Sequence, residues 1–543
     1  MPSKSPGLRS RAKHVLLALL TATALCGPVF SQTADQSKKG KKEKAKAAAT
    51  AAASSAARKP IVTVVDGVVQ PRRPMADAIA DAIQFLRRAD GSYVPGSIQG
   101  DLAGYFMAAH VNADGSRVSR QQLSFPARHH AYFIRTFLHY YVYTGEREWL
   151  LRARDLADWN TATSTPATDT YGNLPYSSHE GGVPTGSADK NSIETDKPAF
   201  LGTSYLALYE STGERKYFEA ARKIAATLVP KQRADGSWPF RVIPKDGAIF
   251  EDLGGAPVFF VEFFEAMQRH EPRPEYQRAR DLALKLMIAR NVEKGEWGTY
   301  HEDIHPKDGT HLSAEPMSFT AAYLFRHAHA YPDYIAYGKR VIAQMEARLV
   351  HTEGHAASPA PGVAEQAAFE HIMAGHTARY CLALGELYAV TGDPAVRLKA
   401  LSGLNAVTHM QSEIGLFRTY FYDTEKKAEK DPATVRNWYS QHLYAVCHML
   451  ECMAIFPEIA PKGQDHILGY SSGLNDVRYA SGRITYATAL PATEVVKVKK
   501  EPKSVLVNGR ALRRDGKEQG WSFDAAKQVV VVRHAAGEVT IEK

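Results

Sequence analysis

The chain reads "RADGSW" at residues 233–238, and "RADGSY" stands 145 residues earlier at 88–93. Asp-Gly-Ser interrupts an apolar pattern, because Asp favours a local turn and Gly accepts positive φ. A glycine in similar company recurs: Gly91 in "DGSYV", Gly172 in "YGNLPY", Gly236 in "DGSWPF", Gly298 in "GEWGTY", Gly354 in "TEGHAAS" and Gly415 in "IGLFRTY". The spacing, about 60 residues, marks a repeated supersecondary unit.

A second series falls between these marks. "TGERE" (144–148), "TGERKY" (212–217) and "TGDPA" (391–395) are short turns, and "EPRPEY" (271–276) and "YPDY" (331–334) fill the missing places. Gly just past a helix supplies a left-handed cap, and Pro just past it stops it. Apolar residues between the marks keep helical spacing, as in Phe133, Phe137, Tyr140 and Tyr141, or Leu201, Tyr205, Leu208 and Tyr209. The pattern predicts twelve helices in six pairs, over about 76–89, 120–143, 146–160, 198–211, 214–229, 253–269, 275–290, 314–330, 333–349, 364–390, 394–411 and 436–455. Tight turns alternate with long connections rich in aromatics, His, Asp and Glu. Long loops at one end of a rigid scaffold carry function.

Twelve helices in inner and outer order, with TGD/TGE turns and DGSW-like returns, resemble the six-hairpin (α/α)6 toroid of carbohydrate-active enzymes over roughly residues 75–456. The resemblance reaches the superfamily and no single glycosidase, lyase or epimerase family. It implies a substrate cleft at the N-terminal ends of the inner helices, the end with the long loops. "KQRADGSWPF" (231–240) also resembles the QW motif of terpenoid cyclases, but the chain has no Asp-x-Asp-Asp run to protonate a polyene.

The expected fold is therefore mainly α: an (α/α)6 toroid with a small all-β module. Residues 1–31 read as a signal peptide, with Lys4, Arg9, Arg11 and Lys13 ahead of a short apolar run. Residues 32–74 read as a Lys/Ala-rich disordered linker. The toroid fills 75–456, a connection fills 457–479, and β-branched runs with an Asn508-Gly509 turn make 480–543 the β module, packed on the barrel. Export to the periplasm or beyond follows, with no membrane insertion of the mature chain.

The net charge of +9 belongs to the N-terminus, since residues 1–59 hold twelve Lys/Arg against two Asp/Glu. The folded part is close to neutral, which removes the case for nucleic acid. Cys381, Cys447 and Cys452 lie in apolar helices and do not form a disulfide framework.

Inner-helix N-termini present unpaired N–H groups to one basin and favour anions. Glu194, Asp196, Glu251, Asp252, Glu315 and Glu365 sit at such starts, where each also fits an ordinary capping role. The densest polar stretch, "GEWGTYHEDIHPKDGTHLSAEP" (295–316), joins Trp297, Tyr300, His301, Glu302 and Asp303 to Glu315. A glycan site needs an aromatic platform, polar groups for hydroxyls and, for hydrolysis, a carboxyl pair. The first expectation is glycoside hydrolysis by Glu251 or Asp252 opposite Glu302, Asp303 or Glu315. The alternative is uronate elimination or epimerisation by Tyr420 or Tyr422 with His and Arg436. A third is a toroid that binds glycan without catalysis. Arg128, His129, Trp238, Arg241, Trp297, Tyr300, His301, Tyr422, Arg436 and Trp438 are the expected substrate contacts. No cofactor or metal set is assigned.

Overall fold

A computed structural model describes residues 62–86, 110–111, 123–180, 191–297, 312–352, 360–367, 369–417, 437–516 and 518–543. All belong to one compact unit, Lys59–Lys543. The expected signal peptide, most of the linker and the first RADGS phrase lie outside the described residues. No described helix is long and apolar enough to cross a membrane.

Twelve helices are present among the described residues: α1 (Met75–Leu86), α2 (Pro126–Thr144), α3 (Arg147–Ala162), α4 (Asp196–Thr212), α5 (Arg215–Leu228), α6 (Pro257–His270), α7 (Pro274–Leu286), α8 (Ala314–His327), α9 (Asp333–Arg348), α10 (Ala374–Thr391), α11 (Pro394–His409) and α12 (Tyr439–Ile455). The even-numbered helices form an inner ring, each packed on the next, and α12 closes it against α2. Each odd-numbered helix backs an inner one, with α1 behind α12. Inner helices are buried nearly all round, as α8 is from Ala314 to Phe325. An outer helix such as α5 buries one stripe, Tyr217, Phe218, Ala221, Ile224, Ala225 and Leu228, and turns the rest to water.

The short turns use the predicted cap. Gly145, Gly213 and Gly392 have φ of +77°, +72° and +68° and return their N–H groups to Tyr141, Tyr209 and Tyr388. The RADGSW turn does something else. Gly236, at φ +93°, lies so close to α7 that a Cβ would meet the Leu282 carbonyl at 2.4 Å. Gly415, at φ +89°, approaches the Asp81 carbonyl of α1 in the same way, at 2.3 Å. Gln232 Nε2 donates to the carbonyls of Gly236 (3.1 Å) and Ala279 (2.9 Å), and Gln411 Nε2 donates to those of Gly415 (2.9 Å) and Ala78 (2.7 Å). Each turn thus bolts one hairpin to the outer helix of the next. The aromatic two residues on, Trp238 or Phe417, is fully buried.

Three expectations change. Helix α2 starts at Pro126, not 120, because proline fits a first helical turn and forces an extended residue before it. The predicted helix 364–390 begins only at Ala374. Residues Gly362–Gln366 (β4) and Phe369–Ile372 (β5) instead form a hairpin. Ahead of it lie β1 (Ile193–Glu194), β2 (Pro239–Val242) and β3 (Ile249–Gly254), one sheet in that order at the N-terminal end of α4 and α6. Within the expected linker, Val64–Val65 pairs with Val68–Val69, and Val69 is buried against α11.

The C-terminal strands start at His466 rather than 480. They are β6 (His466–Tyr470), β7 (Leu474–Ala480), β8 (Arg483–Thr488), β9 (Ala492–Lys497), β10 (Ser504–Val507), β11 (Arg510–Ala511), β12 (Gly520–Asp524), β13 (Val529–His534) and β14 (Gly537–Glu542). They form antiparallel sheets in the orders β6-β9-β13-β12 and β7-β8-β14-β10-β11. Asn508-Gly509 makes the expected tight turn, with Val507 opposite Arg510. The module is fastened to the C-terminal ends of the inner helices. Tyr141 Oη accepts from Val477 N (3.0 Å), Glu210 accepts from Gly473 N (2.6 Å), and His466 stacks on Tyr143 at 4.0 Å.

Candidate active site

At the opposite end, the first turns of the inner helices bring charged side chains onto the toroid axis. Arg128 of α2 and Glu315 of α8 come from first and fourth places in the ring, so they meet from opposite sides. Arg128 Nη2 lies 2.5 Å from Glu315 Oε2, with both side chains buried. Tyr132, one turn deeper in α2, donates its hydroxyl to Glu315 Oε1 at 2.9 Å. Arg379 of α10 places Nη2 3.9 Å from the same oxygen.

Burial alone would raise the Glu315 carboxyl. Arg128, Lys197 and Arg379 outweigh it and hold the group far below the usual carboxylate range. Glu315 is therefore a fixed anion inside a cationic cage. Burial pushes the Tyr132 phenol well up, so it stays a donor.

Arg379 lies over the rings of Phe319, Tyr132 and Tyr444, at 5.2, 5.4 and 5.6 Å from their centroids. Its Nη1 donates to His376 Nδ1 (3.0 Å), and its Nε donates to His448 Nε2 (3.2 Å). These bonds place the remaining proton of His376 on Nε2, which stands 3.6 Å from Glu365 Oε1. They place that of His448 on Nδ1, which donates to Glu451 (2.8 Å). Burial keeps both histidines neutral, with His448 down at about 4. Beside this cluster Asp196 Oδ2 accepts from Ala256 N at 2.8 Å, just ahead of α6.

The predicted site residues divide sharply. Arg128, His129 and Glu315 do come together at the basin, where His129 packs edge-on against Tyr444. Arg241 sits at its rim in β2, between Glu194 (2.8 Å) and Glu251 (3.0 Å). Asp252 points to solvent and pairs with Arg233. Trp238 lies flat on Phe260 at 3.9 Å and donates to the Leu228 carbonyl, and buried Trp297 donates to Gln344. Both tryptophans are turn wedges with no face free for a sugar. Tyr300, His301, Glu302, Asp303, Tyr420, Tyr422 and Arg436 lie outside the described residues, as does the side chain of Trp438.

Tyr132, Lys197 and Arg379 escaped the sequence reading. A signal existed. Basic side chains near helix N-termini oppose the helix dipole, so Arg128, Lys197 and Arg379 on apolar helices each call for a buried anion.

The sequence matches no protein-family profile, and no curated protein matches it. The structure is similar to that of D-mannose isomerase, with a TM-score of 0.54 and 14% identity over 71% of this chain and 97% of that one. It is equally similar to cellobiose 2-epimerase from Spirochaeta thermophila, with a TM-score of 0.54 and 14% identity over 71% and 97%. Cellobiose 2-epimerase from Bacillus thermoamylovorans gives 0.52 and 11% over 69% and 98%. The chain is a six-hairpin (α/α)6 toroid. Each of these structures is covered over nearly its whole length, by about seven-tenths of this chain.

Proposed function

We propose that this toroid is a carbohydrate-active enzyme that moves a proton at a sugar carbon. The reaction is isomerisation or epimerisation of a sugar, or elimination across a uronate linkage. The observation that supports this reading is the cationic cage around Glu315. A C–H bond next to a carbonyl or carboxylate becomes acidic only where the resulting oxyanion is stabilised. Arg128 and Arg379 both reach Glu315, and Lys197 stands between it and Asp196, 3.6 Å from the latter, so cationic donors are held at the basin where that oxyanion would form.

In this reading Arg128 and Arg379 bind the developing charge, and Glu315 with Tyr132 holds their guanidinium groups in place. His376 is a positioning group: its Nδ1 accepts from Arg379 and its Nε2 proton faces Glu365, so it aligns the guanidinium and leaves the base to the long loops. Tyr300, His301, Tyr420, Tyr422 and Arg436 remain candidates to complete the basin from the long loops. Fold kinship with isomerases and epimerases agrees with such chemistry, though toroids host several reactions.

Glycoside hydrolysis needs one neutral carboxyl as general acid. Glu315 stays ionised near neutral pH and Asp252 faces solvent, so the neutral acid would rest on Glu302 or Asp303, with Glu315 or Glu251 as the ionised partner. The test is a panel of free aldoses, disaccharides and uronate glycans, with product mass recorded. A product of unchanged mass, or an unsaturated uronate, supports proton transfer; gain of one water overturns it.

A further inference from the structure

A second cavity, of about 650 Å³, lies at the other end of the toroid, between the C-terminal halves of the inner helices and strands β6 and β9 with the turn 471–473. We propose that it binds a small organic ammonium ion, held by Glu386.

Five carboxylates face this cavity, and four are matched. Glu451 meets Arg135 at 2.5 Å, Glu262 meets Arg326 at 2.9 Å, Glu265 meets His327 at 2.9 Å, and Glu210 meets His270 at 2.8 Å. Glu386, on α10, accepts no hydrogen bond among the described residues. Its nearest cation is Arg326 Nε at 3.9 Å, beyond hydrogen-bond reach, and that guanidinium already serves Glu262.

The groups around Glu386 are Arg326 and His327 from α8, Arg135 from α2 and Glu451 from α12. Desolvation and the Glu451 charge push its carboxyl up, while the arginines pull the other way and do not compensate. One fifth of the side chain remains accessible, and it opens into the cavity. The carbonyl ends of the inner helices add negative potential at this end of the ring.

These features call for one directional positive charge. A metal ion fits less well. His139, Cys447 and Glu451 do bring donor atoms within 4.8 Å of one another, but Arg135 already sits on Glu451 and repels a second cation there. An ammonium head on Glu386 needs a single carboxylate. The rest of the molecule then lies among Ser471, Thr493 and Tyr470, which suit hydroxyls or a short chain. Two sources share that chemistry, an amino sugar and a polyamine.

The site is separate from the basin at Glu315, and its test does not depend on the catalytic reading. Full-length protein is titrated calorimetrically with glucosamine and with putrescine, and with glucose and N-acetylglucosamine as uncharged counterparts. Saturable binding of an amine, with at least tenfold weaker binding by either neutral sugar, is expected. Tighter binding of glucosamine selects the amino sugar, and tighter binding of putrescine the polyamine. Glu386→Gln should weaken the amine at least tenfold. Should that variant fail to fold, the wild-type pH series decides: affinity should rise several-fold as the pH climbs from the acid range to neutrality and Glu386 ionises. No saturable heat from either amine, equal binding of glucose, unchanged affinity in Glu386→Gln, or a flat pH series would each overturn the proposal.

Discussion

Arg128 and Glu315 meet across the toroid axis from the first turns of opposite inner helices, 2.5 Å apart and both buried. A pair in that place ties the two halves of the ring together at the level of the basin. Removing one partner of a buried pair leaves an unmatched charge. Glu315→Gln takes the carboxylate from Arg128 and Arg379, and a loss of about 3–5 kcal/mol of stability is expected in urea unfolding. The pH dependence has a definite sign. The folded-state carboxyl lies below its ordinary value of 4.5, so its stabilisation is present above that pH and fades as the pH falls through the acid range. The variant should show a flatter acid-unfolding profile than the wild type.

Trp238 distinguishes a wedge from a platform. Stacked on Phe260 and bonded to Leu228, it should affect stability and not substrate affinity. Trp238→Ala should cost about 3–5 kcal/mol, and the milder Trp238→Phe should leave KM unchanged within a factor of two. A rise in KM with an unchanged melting temperature would return Trp238 to the substrate.

Gly415→Ala should destabilise by more than an ordinary helix-surface change, because the added Cβ meets the Asp81 carbonyl at 2.3 Å and the residue sits at φ +89°. Gly392→Ala shares the positive φ, at +68°, but has nothing within 4 Å. Its melting temperature should fall less, and the difference between the two variants isolates the contact with α1.

Two histidines carry a second pH effect. His448 is bonded between Arg379 and Glu451, and His442 between the Phe417 amide and the Ala82 carbonyl. Burial lowers each to about 4. The unfolded chain takes up these protons near pH 6.5 and the folded chain does not. Each therefore subtracts stability as the pH drops from about 6.5 to 4, by up to about 3 kcal/mol. Ring-nitrogen NMR should show both neutral at pH 5.5; a titration between pH 6 and 7 for either would contradict the buried assignment.

Glu386 gives the opposite sign from Glu315. Its raised carboxyl means that the fold prefers the protonated form, so ionisation at neutral pH costs stability. Glu386→Gln should raise the melting temperature at pH 7.5 and leave it unchanged at pH 4, as read by calorimetry in amine-free buffer.

The ring was legible because its punctuation is physical. The TG turns need left-handed caps, and the Asp-Gly-Ser turns need a residue without Cβ, so both stay visible in one sequence. The register of the Asp-Gly-Ser series was less visible. Gly295 rather than Gly298 matches Gly236 and Gly415, since Asn291 and Trp297 stand four before and two after it as Gln232 and Trp238 do around Gly236. The hairpin at Gly362–Ile372 was read as helix because "AEQAAFE" has helical composition, and its pairing is a tertiary fact. At the site, Arg128 and Glu315 were found from helix starts. Tyr132 and Arg379 were not, because their partner Glu315 lies 183 and 64 residues away, across the ring from Tyr132 and on the neighbouring inner helix from Arg379.

The most direct test of the proton-transfer reading is an isotope experiment with two labels. The enzyme is incubated with its best substrate from the panel in D2O enriched in 18O, and the product is weighed and its labelled position read by NMR. Proton transfer in the basin of Arg128, Glu315 and Arg379 predicts that the reacting carbon exchanges with solvent deuterium, or, for elimination, that substrate recovered early carries it. Neither case takes up 18O at the cleaved bond. One 18O per cleaved linkage, with no deuterium on carbon, would contradict it.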